Sequence, residues 1–255
     1  MKRIACYALH YGAEYLAWSI RSVQDAVDEI HVFYTPVPSY GHWDPNSTNP
    51  DTEADLRREA HRFLHKPLIW HTINARTEGE HRDNMIRVAH EVGAEQYLVV
   101  DADEVWNPEA ARETLDAVAQ ANRAGRWLAR FANFWRSTKW MVHDHFMPIR
   151  VVDMRHSLQQ DAYLTPEMQP LPVYHFGYAQ TLRTMNYKLG CHGHKAEFKP
   201  GWYENKFINW TPEATDLHPC VNNLWDRAHP TDPGTLTQVK KVLEGHPYLD
   251  LEIIK

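Results

Sequence analysis

Apolar positions along the first hundred residues come in alternating blocks of two rhythms. "RIACYAL", residues 3 to 9, is a short, nearly continuous apolar run and predicts a buried strand. From Ala13 to Asp25 the pattern changes: Leu16, Ile20 and Val23, with Val27 beyond, recur at helical spacing. "EIHVFY" (29 to 34), "PLIWHTI" (67 to 73) and "QYLVV" (96 to 100) repeat the strand pattern. Between them, a helix capped by Asp51 is expected to run to about Leu64. A further helix spans 80 to 92, with Met85, Val88, Ala89 and Val92 on one face. Strands alternating with helices imply a parallel sheet covered on both faces. "TPVPSYGHWDPNSTNP", residues 35 to 50, breaks the alternation as a Pro-, Ser- and Asn-rich loop. A loop of that length in a compact domain is usually functional, and here it is expected to cover a ligand.

After Asp101 the rhythm shifts. A helix from Pro108 to about Ala124 begins with proline, whose missing N–H costs nothing there. "RWLARFANFW" (126 to 135) and "FMPIRVVDM" (146 to 154) follow as strands with no helix between them, hence antiparallel. Residues 156 to 235, rich in Pro, His and Trp, have no clear period, and no repeat or low-complexity tail is found. The expected layout is one α/β domain over 1 to 200, with an extension over 201 to 255 packed on it.

Composition narrows this modestly. Of the 255 residues, 43% are hydrophobic and 24% charged, as in ordinary globular proteins. No apolar run approaches the ~18 residues of a membrane span, and "MKRIACYALH" reads as a first strand, not a signal segment. Three cysteines without close spacing argue against a disulfide framework and for a cytoplasmic location. A net charge of −6 brings no global attraction to nucleic acid. The 10 tryptophans are read mainly as core residues.

The chemistry concentrates in "YLVVDADEVW", 97 to 106, where an apolar strand runs into Asp101, Asp103 and Glu104. Ligands of open α/β sheets bind beyond the carboxyl ends of the strands. Two carboxylates there call for a cation, and such oxygen donors suit Mg²⁺ or Mn²⁺ carrying substrate phosphates. The competing reading is an ordinary turn and helix cap. The helix of 80 to 92 puts its first turn beside Asp101, so Arg82, three residues before Met85, can reach a carboxylate or a phosphate. "HDH" (143 to 145) and "CHGH" (191 to 194) lack partner pairs at zinc-finger spacing.

"AEYLAWSIRSVQDAVDEIHVFY", "RDNMIRVAHEVGAEQYLVVDADEVW" and "VYHFGYAQTLRTMNYKLGCHGH" resemble bacterial and phage glycosyltransferases of the GT-A fold, related to the large family-two group. The resemblance covers about residues 3 to 195. It implies a Rossmann-like nucleotide-diphospho-sugar transferase sandwich with a mixed central sheet. By position, Asp101 and Asp103 match the pair that holds a divalent metal and the donor's ribose and diphosphate. Arg82 and Asn84 match the helix residues ahead of that pair, and His175 matches a late histidine that completes the metal shell. The family usually ends its second strand with an acidic residue that contacts the base or ribose. This chain has "FYTPVPSYGH" there, with no acid before Asp44, so the base must be read differently, through Tyr7, Tyr34 or the loop.

Further candidates follow. Lys188 and His194 lie within reach of a departing diphosphate. Asp144 and Asp161 are candidates for the base that deprotonates an acceptor hydroxyl. The expected partner is a nucleoside-diphosphate sugar, and a glycan, a lipid-linked glycan or a hydroxymethylated DNA base can serve as acceptor. Arg126, Arg130, Arg136, Lys139 and Arg150 could track a nucleic-acid backbone, though scattered surface charge explains them equally. A nucleotidyl- or phosphoryl-transfer enzyme is the first rival, but its usual Gly-rich phosphate loop is missing among the 11 glycines. A carbohydrate-binding protein without catalytic activity is the second.

Overall fold

The computed structural model describes residues 1–38, 48–121, 125–155, 168–249 and the backbone of 162–164. Asp161, Asp44 and most of the expected loop, 39–47, lie outside the described residues. The chain forms β1 (Arg3–Leu9), α1 (Ala13–Val23), β2 (Glu29–Tyr34), α2 (Glu53–His61), β3 (Leu68–Thr72), α3 (Glu78–Glu91), β4 (Gln96–Val100), β5 (Glu104–Val105) and α4 (Pro108–Gln120). Then come β6 (Gly125–Leu128), β7 (Phe131–Trp135), β8 (Ser137–Val142), β9 (Ile149–Asp153), β10 (Ala162–Leu164), β11 (Val173–Tyr178), α5 (Leu182–Cys191), β12 (Ala228–Pro230) and α6 (Pro233–Val242).

Among the described residues the strands make two mixed sheets, β10-β6-β9-β4-β1-β2-β3 and β12-β8-β7-β11-β5. As the alternation predicted, β4, β1, β2 and β3 run parallel. β9 is antiparallel to β6, as expected, and also to β4. Successive residues of β1 face opposite sides, so Ala5, Tyr7 and Leu9 pack with Leu16 and Ile20 of α1 and Leu115 of α4. Ile4 and Cys6 point the other way, onto Met85, Val88 and Ala89 of α3. Burial on both faces is why these strands are apolar throughout and not alternating.

Three local expectations change. "RWLARFANFW" is two strands: β6 joins the first sheet and β7 the second, so the chain switches sheets between Leu128 and Phe131. α4 ends at Gln120. Asp51 does not cap the helix that follows it; Thr52 does, through a capping box with Asp55. Asp51 instead reaches back to α1, its Oδ2 accepting from Gly12 N at 2.7 Å and Ala13 N at 2.9 Å. A carboxylate there satisfies orphan amides and complements the positive end of the helix.

The C-terminal segment packs on the same body. Val239, Val242 and Leu243 join Tyr15 and Trp18 of α1 in one apolar cluster. Trp135, Trp202 and Trp225 form another with Phe207, which confirms the core reading of these tryptophans. Cys6, Cys191 and Cys220 are buried free thiols. Among the described residues no helix is long and apolar enough to cross a membrane.

Candidate functional site

The strand order reverses between β4 and β1, with α1 and α3 on opposite faces. A crevice beyond the carboxyl ends of those strands is where such sheets bind ligands. A cleft of about 730 Å³ opens there, lined by Asp101, Asp103, Arg82, Lys188 and His175 among others. Its size lies within the usual range for small-molecule sites, roughly 300–1,000 Å³.

Two structural accidents of sequence bring these side chains together. Gly12 has φ +123, and a Cβ on it would lie 2.6 Å from Ala102 Cβ, so only glycine lets the Asp101–Asp103 turn approach α1. β5 then pairs antiparallel with β11, setting Glu104 opposite His175, while β7 sets Asn133 opposite His175 from the other side.

Arg150 of β9 supplies the main answer to the carboxylate repulsion. Its Nε donates to Glu104 Oε1 at 3.0 Å and Oε2 at 2.8 Å, and its Nη2 donates to Glu104 Oε1 and, at 2.7 Å, to Asp101 Oδ2. Glu104 is fully buried, and burial pushes its carboxyl up against the pull of Arg150. Burial works against the Arg150 charge too, but Glu104 and Asp101 outweigh it and raise its pKa. Desolvation also raises Asp101, yet Arg150 and Arg82 prevail and hold that carboxyl below its ordinary value.

Asp103 is paired separately. Its Oδ2 accepts from Lys188 Nζ at 3.1 Å and Gln180 Nε2 at 2.7 Å. Against its burial, Lys188 and His175 bring its pKa down to about 2. Lys188 also donates to Gly177 O at 3.0 Å. Its helix, α5, is tied at the N-terminus to Glu14, which accepts from Thr181 N at 3.0 Å and Thr184 Oγ1 at 2.6 Å.

Asp103 Oδ1 faces His175 Nε2 at 3.8 Å. His175 Nδ1 donates to Asn133 Oδ1 at 2.6 Å, which leaves the lone pair on Nε2. Burial lowers its pKa to about 4, so the ring is neutral. Two electron-pair donors therefore converge with no hydrogen between them, the arrangement a cation requires. Among the described residues no group of three or more His, Cys, Asp or Glu forms a closed metal cage. Asp103 Oδ1 and His175 Nε2 are thus two candidate donors to a cation at the cleft.

Other expected residues distribute unevenly. Arg82 lines the cleft, its Nη2 donating to Glu78 Oε1 at 3.0 Å. Asp144 lines it from the β8–β9 connection, with Oδ1 accepting from Phe146 N at 2.9 Å. His194 stands at its rim, paired with Glu197 at 2.8 Å. Asn84 is turned along its own helix, Nδ2 donating to Glu80 O at 2.7 Å, and does not line the cleft. Tyr7 is fully buried, its hydroxyl bonded to Ser19 Oγ at 3.1 Å, so it has no face for a base. Tyr34 is buried beside Trp70.

Of the basic residues that could track a nucleic-acid backbone, Arg126 lines the cleft and two others are engaged inside the fold. Arg136 is buried, with Nη1 donating to Phe207 O at 2.7 Å, and Arg150 is consumed by the acidic cluster. Sequence reasoning missed the pairing role of Arg150, although a lone charge inside the apolar strand "IRVVD" was a usable signal. Asn133, Gln180 and His81 were also missed, and nothing local marks them.

No protein-family model matches the chain, and no curated protein matches it. Among solved structures, a nucleotide-diphospho-sugar transferase from Desulfovibrio desulfuricans G20 is similar at 10% identity and TM-score 0.39, over 60% of this chain and 64% of that one. Glucosyl-3-phosphoglycerate synthase from Mycobacterium tuberculosis, in complex with Mn²⁺, UDP and phosphoglyceric acid, is similar at 12% identity and TM-score 0.34, over 53% of this chain and 43% of that one. A 4-diphosphocytidyl-2C-methyl-D-erythritol synthase is similar at 21% identity and TM-score 0.34, over 74% and 78%. The chain spans less than two thirds of the first two structures. What the strand order itself defines is an α/β protein with mixed sheets and a charged cleft at the carboxyl edge of its parallel strands.

Proposed function

We propose that this protein is a glycosyltransferase that moves a sugar from a nucleoside-diphosphate donor to an acceptor hydroxyl. The observation that carries the reading is the pair Asp103 Oδ1 and His175 Nε2, 3.8 Å apart at the switch-point crevice with Lys188 beside them. The resemblance of "YLVVDADEVW" and its flanking segments to GT-A enzymes supports the same assignment.

In this reading Asp103 and His175 hold a divalent ion, and imidazole nitrogen favours Mn²⁺ over Mg²⁺. When bound, the ion acts as a Lewis acid on the donor diphosphate. Asp101, fixed by Arg150 through Oδ2, keeps Oδ1 for the ion or the ribose. Lys188 offers N–H donors to the diphosphate, where negative charge grows most as the sugar departs. Lys188 is already counterbalanced by Asp103, so its position is set before the substrate arrives. Asp144, which also lines the cleft, takes the acceptor proton in an inverting transfer. The C-terminal segment, whose Trp225 and His218 line the cleft, shapes the acceptor side.

The test is direct. The purified protein is incubated with a panel of nucleotide sugars and Mn²⁺, and release of nucleoside diphosphate is followed. Release that needs the metal and disappears in Asp103→Asn is expected. Absence of both release and binding across the panel would overturn the assignment.

A further inference from the structure

We propose that His81 anchors the nucleoside end of the donor, in place of the acidic residue missing from the end of β2. This deepens the glycosyltransferase reading and rests on it. His81 lies in the first turn of α3 and is 3% exposed, yet its ring lines the cleft. Its Nε2 is buried and has no hydrogen-bond partner, and neither has the buried Nη1 of adjacent Arg82. Other buried side-chain nitrogens also lack a partner, Trp70 Nε1 and Trp106 Nε1 among them, but His81 and Arg82 are neighbours and both line the cleft, where a ligand can complete the pairing.

The chemistry of this corner distinguishes it from the diphosphate end. His81 is neutral, because burial and the charge of Arg82 lower its pKa to about 4. The Arg82 charge is met by Glu78 at 3.0 Å and felt by Asp101, so the corner carries no surplus cation for a phosphate. A neutral imidazole nitrogen can donate or accept, while Arg82 Nη1 only donates. Together they suit a neutral polar edge that includes at least one acceptor, as a nucleobase or ribose presents. His10, on the same wall, cannot take this role. Its Nδ1 donates to Thr35 O at 2.8 Å and its Nε2 accepts from Tyr187 OH at 2.6 Å.

Topology sets the direction of the ligand. α3 packs against β1 and β2, whereas His175 and Lys188 come from β11 and α5. A nucleoside diphosphate lying across the crevice places its nucleoside toward His81 and its diphosphate toward Lys188. The residue normally supplied by β2 is thereby replaced from the next helix along the chain.

The test compares nucleotide with pyrophosphate. UDP, GDP, CDP, ADP and inorganic pyrophosphate are titrated into the full chain with Mn²⁺ by calorimetry, for wild type, His81→Phe and His81→Gln. The nucleotide that wild type binds best should lose about tenfold in affinity in His81→Phe, one hydrogen bond's worth. Pyrophosphate should change by less than about twofold, and His81→Gln should recover most of the loss. If His81→Phe fails to fold, His81→Leu carries the same comparison. Equal weakening of nucleotide and pyrophosphate, or none, would overturn the role of His81 while leaving the transferase reading standing. Failure of every nucleotide to bind wild type would overturn both.

Discussion

His175 Nε2 and Asp103 Oδ1 stand 3.8 Å apart with both lone pairs turned inward, and Asn133 holds the imidazole in the tautomer that makes this so. Neither of the two facing atoms carries a proton at neutral pH, since burial keeps His175 near 4 and Lys188 keeps Asp103 near 2. If the gap is a cation site, His175→Ala should weaken activation by Mn²⁺ by more than about tenfold and activation by Mg²⁺ less. Metal titrations of donor hydrolysis measure this, and an equal loss with both ions would make His175 a structural residue.

Asp103→Asn is expected to abolish transfer while preserving the fold. Relief of carboxylate repulsion alone would leave such a variant no less stable. The ion pair with Lys188 and the bond from Gln180 reverse that expectation. The Asp103 pKa is about 2 when folded, against 3.8 for the free group, so its contribution is present above the unfolded value. It amounts to about 2 kcal/mol and is lost as pH falls from roughly 4 through 2. Without metal, urea melts at neutral pH should therefore show Asp103→Asn destabilised by that order, the difference shrinking in acid. A variant as stable as wild type at pH 7 would show the pair with Lys188 to be energetically empty.

Arg150→Met leaves Glu104 buried without its partner and frees Asp101. Removing one member of a buried ion pair typically costs about 3–5 kcal/mol, because the remaining charge is stranded. The double variant Arg150→Met, Glu104→Gln should regain a good part of that loss. Chemical denaturation of wild type, both single variants and the double gives the coupling energy, and simple additivity would mean that the pair does not act as a unit.

Gly177→Ala probes the close approach behind the site. A Cβ at that position would lie 2.6 Å from Cε1 and Nε2 of His175 and 3.2 Å from Lys188 Nζ. The imidazole must move, and Asn133 resists it. Affinity for Mn²⁺ should fall by about tenfold or more, with melting temperature little changed because the cost falls on a side-chain tip. Retained metal affinity would show that the ring adjusts freely.

Much of the scaffold is legible in local pattern. Apolar runs mark β1 to β4, and helical spacing of Leu16, Ile20, Met85 and Val88 marks the helices between them, because burial on one or both faces imposes a period on neighbouring residues. Position in that pattern also places Asp101 and Asp103 at the ligand-binding edge of the sheet. The relationships that give the site its chemistry have no such period. Asp51 serves the helix behind it instead of the one ahead, across 39 residues to Gly12. Arg150 meets Glu104 across 46 residues, and Asn133 orients His175 across 42. Each depends on which strands become neighbours and in what register. That choice is made by the packing of the whole core, so only the tertiary structure could decide which charges compensate one another and which polar atoms, such as His81 Nε2, are left without a partner.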